Sequence, residues 1–238
     1  MVFFTGDIHG DPRPVIELVE QANPTADDTV VLLGDVGANY YRGKKDNAVK
    51  SALNSLGVPL LCVHGNHEIR PVNVPGYVER EWKGGIVWVQ PEYPNLLFAK
   101  DGEIYDIEGL KYLVIGGAYS VDKFYRISRY HYGWWPDEQP SDEIKAYVEK
   151  QIREKDFDII LSHTCPFKYE PTEMFLSGID QDTVDDSTER WLDTIEESTD
   201  YKAWFCGHWH TDKRIDKMHF LFHGIETDEQ FKEKEGIQ

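Results

Sequence analysis

The sequence predicts an α/β fold built on parallel strands, and three observations carry that prediction. Short apolar runs at residues 2–5, 29–33 and 60–63 each end in a glycine-flanked turn. Segments with helical apolar spacing separate the three runs. Two later runs, 158–161 and 203–206, repeat the pattern of strand followed by polar turn. Strands that alternate with helices form βαβ units and pair in parallel.

Residues 2–5 form the first buried strand and 6–10 its exit turn. Asp11 is expected to cap a helix with Pro12 in its first position, where the missing N–H would be unpaired anyway. Val15, Leu18, Val19 and Ala22 make the apolar stripe, and Asn23-Pro24 stops it. Residues 29–33 form the second strand. A second helix spans 44–56, with Gly57 closing it, and 60–63 form the third strand. Runs at 86–90, 96–99, 103–107 and 111–116 follow, with Asp101-Gly102 and Glu108-Gly109 between them. Such dipeptides signal hairpins, so this part is expected to be an antiparallel meander. Residues 118–140 lack a clear period and are rich in Tyr, Trp, Arg and His, which marks an aromatic active-site loop or a plug for the side of the core. Ser141 caps a helix with Ile144, Tyr147, Val148 and Ile152 inward. After the strand at 158–161, residues 168–186 are irregular and acidic. A helix over 187–197 and the strand at 203–206 precede a closing hairpin of 214–218 and 220–222, and 225–238 form a charged tail. No repeat or linker divides the chain, so residues 1–238 are expected to be a single domain.

With 40% hydrophobic and 29% charged residues the chain has the composition of a folded protein. No run of 18 apolar residues is present, so no membrane span is expected. Met1 leads directly into a short strand with no basic, apolar leader, and the three cysteines form no CxxC pair. Both features point to a cytoplasmic protein. The formal charge of −18 opposes binding along a long nucleic acid, where Lys and Arg must displace counterions. A small phosphorylated molecule remains compatible when a cation supplies the local positive charge. Oligomeric state is not legible.

Five turns carry the chemistry: Asp7/His9, Asp35, Asn66/His67, His163 and His208/His210. Each follows an apolar strand. Ligands gather at the carboxyl ends of strands in α/β sheets, so strands sharing one sheet would bring these side chains to one edge of it. Any one of them alone is ordinary; a single histidine after a strand is usually structural. Five in succession are not coincidence. Carboxylates with neutral imidazoles suit Mn, Fe, Co or Zn rather than Ca, and no cysteine takes part. The expected cofactors are two divalent cations, manganese first, with iron, zinc, cobalt or nickel as alternatives. Asp35 can bridge two ions roughly 3.5–4 Å apart, which would generate a hydroxide nucleophile and offset phosphate charge. His64, His131, His219 and His223 lack this context and are assigned to structure or surface.

As an ordered set, Asp7-x-His9, Gly34-Asp35, Gly65-Asn66-His67-Glu68, His163 and Gly207-His208-x-His210 resemble the calcineurin-like metallophosphoesterase superfamily. The motifs run from Asp7 to His210, nearly the whole chain. The resemblance implies a four-layer αββα sandwich with two mixed β-sheets and a dinuclear site at the strand C-terminal ends. It places Asp7, His9, Asp35 and His210 on the first metal and Asp35, Asn66, His163 and His208 on the second. Asp35 is then the bridge, and His67 a non-ligand beside the phosphate, contacting it or protonating the leaving oxygen. The spellings around Asp7 and Asn66 are similar to the serine/threonine protein phosphatase and diadenosine-tetraphosphatase branch. That branch usually continues its second motif as Asp-x-x-Asp-Arg-Gly, whereas Ala38 and Asn39 stand here in place of the acid and the arginine.

The implied activity is hydrolysis of a small or medium phosphorylated substrate by attack of a metal-bridging hydroxide. The alternatives are a phosphodiesterase or nuclease acting on nucleotides, and a metal-bearing scaffold without catalysis. Arg42, Arg70, Arg126 and Arg129 are the candidates to replace the missing phosphate-gripping arginine, since guanidinium binds phosphate bidentately.

Overall fold

The computed structural model describes residues 1–130 and 133–232, the side chains of Arg129 and Tyr130 excepted, so the predicted Arg129 contact and His131 lie outside the described residues. Two mixed sheets face each other. The first contains β1 (Val2–Thr5), β2 (Thr29–Leu32), β3 (Leu60–Cys62), β4 (Val78–Trp82), β5 (Gly85–Val89), β6 (Leu96–Ala99) and β13 (Glu226–Thr227), in the order β13-β1-β2-β3-β6-β5-β4. The second contains β7 (Ile104–Ile107), β8 (Leu110–Ile115), β9 (Ile159–Ser162), β10 (Ala203–Cys206), β11 (Lys213–Ile215) and β12 (Met218–Phe220), in the order β11-β12-β10-β9-β8-β7. The strands β1, β2, β3 and β6 are mutually parallel, as are β8, β9, β10 and β12.

Alternation of side chains along each strand sets the layers. Phe4, Val31, Leu61 and Leu97 of the first sheet meet Tyr112, Val114, Leu161 and Phe205 of the second in a shared core. Phe4 stacks on Phe205 with ring centroids 4.1 Å apart. The outward residues Phe3, Val30, Leu32 and Leu60 pack against helices α1 (Arg13–Ala22) and α2 (Lys44–Asn54). On the far side, Leu113, Ile160 and Trp204 pack against α4 (Asp142–Glu154) and α5 (Ser187–Ser198). The result is the expected four-layer αββα arrangement. No described helix is long and apolar enough to cross a membrane.

Several local expectations are corrected. Helix α1 begins at Arg13, with Pro12 as its uncapped N-terminal residue; the Asp11 carboxylate instead accepts from the Arg13 backbone N–H at 3.1 Å. Strand β4 has no counterpart among the predicted elements. It is an edge strand whose Glu79, Arg80 and Glu81 break the apolar alternation, the usual protection of an open edge. The expected meander is divided between the sheets. Glu108-Gly109 does close a two-residue hairpin, with both residues at positive φ. Asp101-Gly102, however, carries the chain from β6 in one sheet to β7 in the other. Asp101 accepts from Gly116 N–H at 2.6 Å and pairs with Arg70.

The stretch 118–140 is not structureless, because it contains helix α3 (Lys123–Tyr130). Tyr119 and Trp135 are buried while Phe124 and Tyr125 are exposed, so it both plugs the core and offers surface. The closing hairpin turns at Asp216-Lys217, inside the segment expected to be its first strand. The charged tail is docked as far as residue 232. Strand β13 pairs with β1, Phe231 is buried, and Asp228 accepts from Val2 N–H at 3.1 Å and from the Tyr112 hydroxyl at 2.9 Å. A short helix, α6 (Glu229–Lys232), follows.

Candidate metal centre

The five chemistry-bearing turns leave the carboxyl ends of β1, β2, β3, β9 and β10. These strands do not share one sheet. The first three belong to one sheet and the last two to the other, so the centre lies where the ends of two facing sheets meet. Several contacts tie the halves together. The His163 Nδ1–H donates to the Leu33 carbonyl at 2.8 Å, and the His208 backbone N–H donates to Asp7 Oδ1 at 3.0 Å.

The backbone is bent to do this. His9, Asp35, His208 and His210 all have positive φ, between 46° and 65°. Residues other than glycine rarely occupy that region, and such conformations cluster at functional sites. The adjacent glycines explain the tolerance. A Cβ on Gly34, whose φ is +100°, would lie 2.0 Å from His163 Nδ1, and one on Gly65 would lie 2.1 Å from Asp35 Oδ1. Each glycine leaves room for a donor side chain contributed by another turn.

Around Asp35 the donors close in. Its Oδ1 accepts from the His67 backbone N–H at 2.7 Å and lies 3.5 Å from His163 Nε2, while its Oδ2 lies 3.9 Å from His9 Nδ1. His210 Nε2 is 3.3 Å from Asp7 Oδ2 and 2.9 Å from His9 Nε2. Asn66 Oδ1 lies 2.8 Å from His163 Nε2 and 3.1 Å from His208 Nδ1. Among the described residues, three sets of donor atoms fall within 4.8 Å of one another: Asp7/His9/His210, His9/Asp35/His67 and Asp7/Asp35/His163. This chemistry fits divalent cations. Nitrogen lone pairs and carboxylate oxygens converge, with no cysteine among them.

Charge follows the packing. Burial acts to raise the Asp35 carboxyl, but His163, His67 and His9 outweigh it and hold it well below the usual carboxylate range. Burial acts to lower His163, yet Asp35 and Asp7 raise it to about 9, so without metal its ring keeps a proton where an ion would bind. Burial lowers His208 well below the normal imidazole value, with His163 adding to the effect. His210 is raised by its hydrogen bond to Asp7. Burial also lowers His67, reinforced by Arg126 and opposed by Asp35.

The structure adds residues that sequence reasoning missed. Asn66 Nδ2 donates to Ser120 Oγ at 2.8 Å, and Ser120 Oγ donates to Glu138 Oε2 at 2.5 Å. This chain turns the Asn66 oxygen toward His163 and His208. Ser120 and Glu138 lie in the aperiodic aromatic stretch, where no motif distinguishes them. Of the predicted arginines, Arg126 alone among the described side chains reaches the centre. Its Nη1 is 3.5 Å from His67 Nδ1 and donates to Gly133 O at 2.6 Å, and its Nε is 2.9 Å from Asp122 Oδ1. Arg42 instead lines a separate cavity of about 420 Å³ with Asp46 and Lys50. Arg70 is buried against Asp101 and donates to the Asp137 carbonyl at 2.7 Å, which removes it from the site. Three of the histidines set apart from the site can be placed. His64 and His219 are buried, and His223 packs on Phe222 at 3.8 Å.

A cavity of about 630 Å³ opens from Asp35, Asn66, His67, His208 and His210 toward the 167–190 segment.

Among solved structures, the chain is similar to TT1561 of Thermus thermophilus, with 15% identity, a TM-score of 0.49, and 93% of this chain and 87% of that one covered. It is also similar to the phosphopantetheinyl hydrolase PptH of Mycobacterium tuberculosis, with 15% identity, a TM-score of 0.44, and the same 93% and 87% covered. A further structure has 12% identity, a TM-score of 0.50, and 92% and 88% covered, a likeness of fold alone. Comparison with curated proteins gives no significant match. The family model for calcineurin-like phosphoesterases matches residues 1–212, which takes in every turn of the centre from Asp7 to His210. The chain therefore belongs to the calcineurin-like phosphoesterase family and is a metal-dependent phosphoesterase.

Proposed function

We propose that this protein hydrolyses a phosphate ester of a small or medium organic molecule at a centre for two divalent cations, with manganese preferred. The observation that carries the proposal is Asp35. Its two carboxylate oxygens approach donors of different sets, His163 on one side and His9 on the other, within a buried pocket. One ion would be held by Asp7, His9, Asp35 and His210, and the other by Asp35, Asn66, His163 and His208. Two such cations supply Lewis acidity, making water a competent nucleophile near neutral pH and offsetting charge on the phosphate.

The chain's own residues then position and transfer protons. Leu33 O holds the His163 ring so that Nε2 faces Asp35 and Asn66. Ser120 and Glu138 hold the Asn66 amide. His67, between Asp35 and Arg126, delivers a proton to the leaving oxygen. Arg126 lies 3.5 Å from His67 Nδ1 as a donor, which leaves the ring proton on Nε2 facing the leaving oxygen, and its own position is fixed by Asp122 and Gly133. A cytoplasmic location is part of the proposal, in keeping with Cys62, Cys165 and Cys206 all being free. The complete donor set argues against a scaffold without catalysis.

The test is metal analysis of purified protein followed by assay of p-nitrophenyl phosphate and bis(p-nitrophenyl) phosphate with Mn added. Turnover of either ester, with more than one metal equivalent per chain, is the expected result. The His67→Ala protein should keep its metals and lose most of the rate. Loss of metal from that variant would make His67 a ligand instead.

A further inference from the structure

The cavity that opens from the metal centre has an unusual lining for a phosphoester site. Away from the metal donors it is lined by aromatic side chains, Tyr119, Phe167, Phe175 and Trp209, together with five carboxylates, Asp122, Glu170, Asp182, Asp186 and Glu189. Among the described residues, Arg190 is the one Lys or Arg that lines it. That guanidinium is already committed. Its Nε and Nη2 donate to Asp186 at 2.8 and 2.7 Å, and it lies over the Phe167 ring at 3.9 Å. Asp122 is likewise paired, with Arg126.

The other three carboxylates are not. Among the described residues, Glu170, Asp182 and Glu189 form no ion pair. Glu189 is the most telling. It comes from the first turn of α5, is 4% exposed, lines the cavity, and its Oε2 has no hydrogen-bond partner among the described residues. A buried carboxylate oxygen without a partner is costly and calls for a ligand. Burial pushes both Glu170 and Glu189 up to about 7, with neighbouring carboxylates adding to the effect and Arg190 only partly opposing it at Glu170. Aromatic faces beside carboxylates are the surroundings that favour an ammonium group over a neutral or anionic one. The formal charge of −18 over the whole chain acts in the same direction on a diffusing ligand.

Building on the phosphoesterase reading above, we propose that this cavity selects phosphate esters whose alcohol carries an ammonium group, seated among the aromatic side chains beside Glu189 and Glu170. The same lining rejects esters with a second anionic group, because among the described residues no uncommitted Lys or Arg lines the cavity to receive it. Nucleoside di- and triphosphates are therefore poor substrates.

The test compares a cationic group with its neutral isostere. Choline and 3,3-dimethylbutanol are titrated into the metal-loaded protein by calorimetry, and phosphocholine and 3,3-dimethylbutyl phosphate are compared as substrates, together with the p-nitrophenyl diester of each. The expected results are choline binding at least tenfold tighter than 3,3-dimethylbutanol and kcat/KM at least tenfold higher for the cationic ester. Glu189→Gln and, separately, the more exposed Glu170→Gln should each lower that ratio at least threefold. Equal binding of choline and its isostere, or a ratio unchanged in both variants, overturns the proposal. Failure of the underlying reading is distinguishable, since p-nitrophenyl phosphate would then remain intact with Mn while choline binding stands on its own.

Discussion

The Nε2 atoms of His9 and His210 lie 2.9 Å apart, although the two residues are 201 positions apart in sequence. Asp7 Oδ2 stands 3.9 Å from the first and 3.3 Å from the second. Two imidazole nitrogens this close, beside a carboxylate, require a proton or a cation between them. Metal binding should therefore release protons. Titrating Mn into metal-free protein in a weakly buffered indicator solution near pH 7 should acidify it, and apparent affinity should rise with pH. His210→Ala should weaken Mn binding at least tenfold. A pH-independent affinity would contradict this assignment.

Ser120 and Glu138 position the amide of Asn66, a proposed metal donor. Outer-shell partners of this kind change affinity or activity by roughly 10–100-fold when removed. Ser120→Ala should lower kcat toward p-nitrophenyl phosphate by about tenfold and weaken binding of the second metal equivalent more than the first, as read by calorimetry. An unchanged second site would show that Asn66 needs no such support.

Metal-free protein should lose stability as pH rises from neutral. His163 is raised in the folded state to about 9 from an ordinary 6.5, so its contribution is complete below 6.5 and is lost through about 9. Glu68, raised by burial and Asp35 to about 8, acts in the same direction, because its ionisation is resisted in the folded state. Below pH 6.5 the buried His64 and His208, whose values are lowered by burial, work the other way. Scanning calorimetry in EDTA should give a lower Tm at pH 9 than at pH 6.5, and Mn should reduce the difference. A Tm that rises over that interval would contradict the charge assignment.

The docked C-terminal segment should matter for stability rather than chemistry. Asp228 is fully buried and accepts hydrogen bonds from Val2 N–H and the Tyr112 hydroxyl. Removing it leaves buried donors unpaired, at about 1–3 kcal/mol. Asp228→Ala should lower the urea midpoint accordingly while kcat stays within about twofold of wild type. Unchanged stability would mean that the segment is only loosely attached.

Much of this was legible in the sequence because strand exits write their chemistry locally. Apolar runs followed by Gly-Asp or Gly-Asn-His declared β1, β2 and β3, and the His163 and His208 turns declared β9 and β10. Ser141 announced α4, whose Ile144 N–H it caps at 3.3 Å. What escaped depends on distance or on competing local signals. Strand β4 is charged because it is an edge, so its periodicity is absent. The Asp101-Gly102 turn has hairpin spelling, but Asp101 is engaged with Gly116 and Arg70, and the chain crosses between sheets. Tail residues 226–232 look solvated by composition, yet Asp228 finds its partners at Val2 and Tyr112. The Asn66–Ser120–Glu138 relay joins residues 54 and 18 positions apart, and no pattern within either segment records it.

The central claim is that Asp35 joins two metal ions in one hydrolytic centre, and Asp35→Asn tests it most directly. The variant retains the shape of the side chain and the acceptor for the His67 N–H, so its circular dichroism should match wild type. Metal analysis should fall from two equivalents per chain toward one or none, and hydrolysis of p-nitrophenyl phosphate with added Mn should drop at least a thousandfold. A folded Asp35→Asn protein that retains both metal equivalents and wild-type turnover would contradict the account.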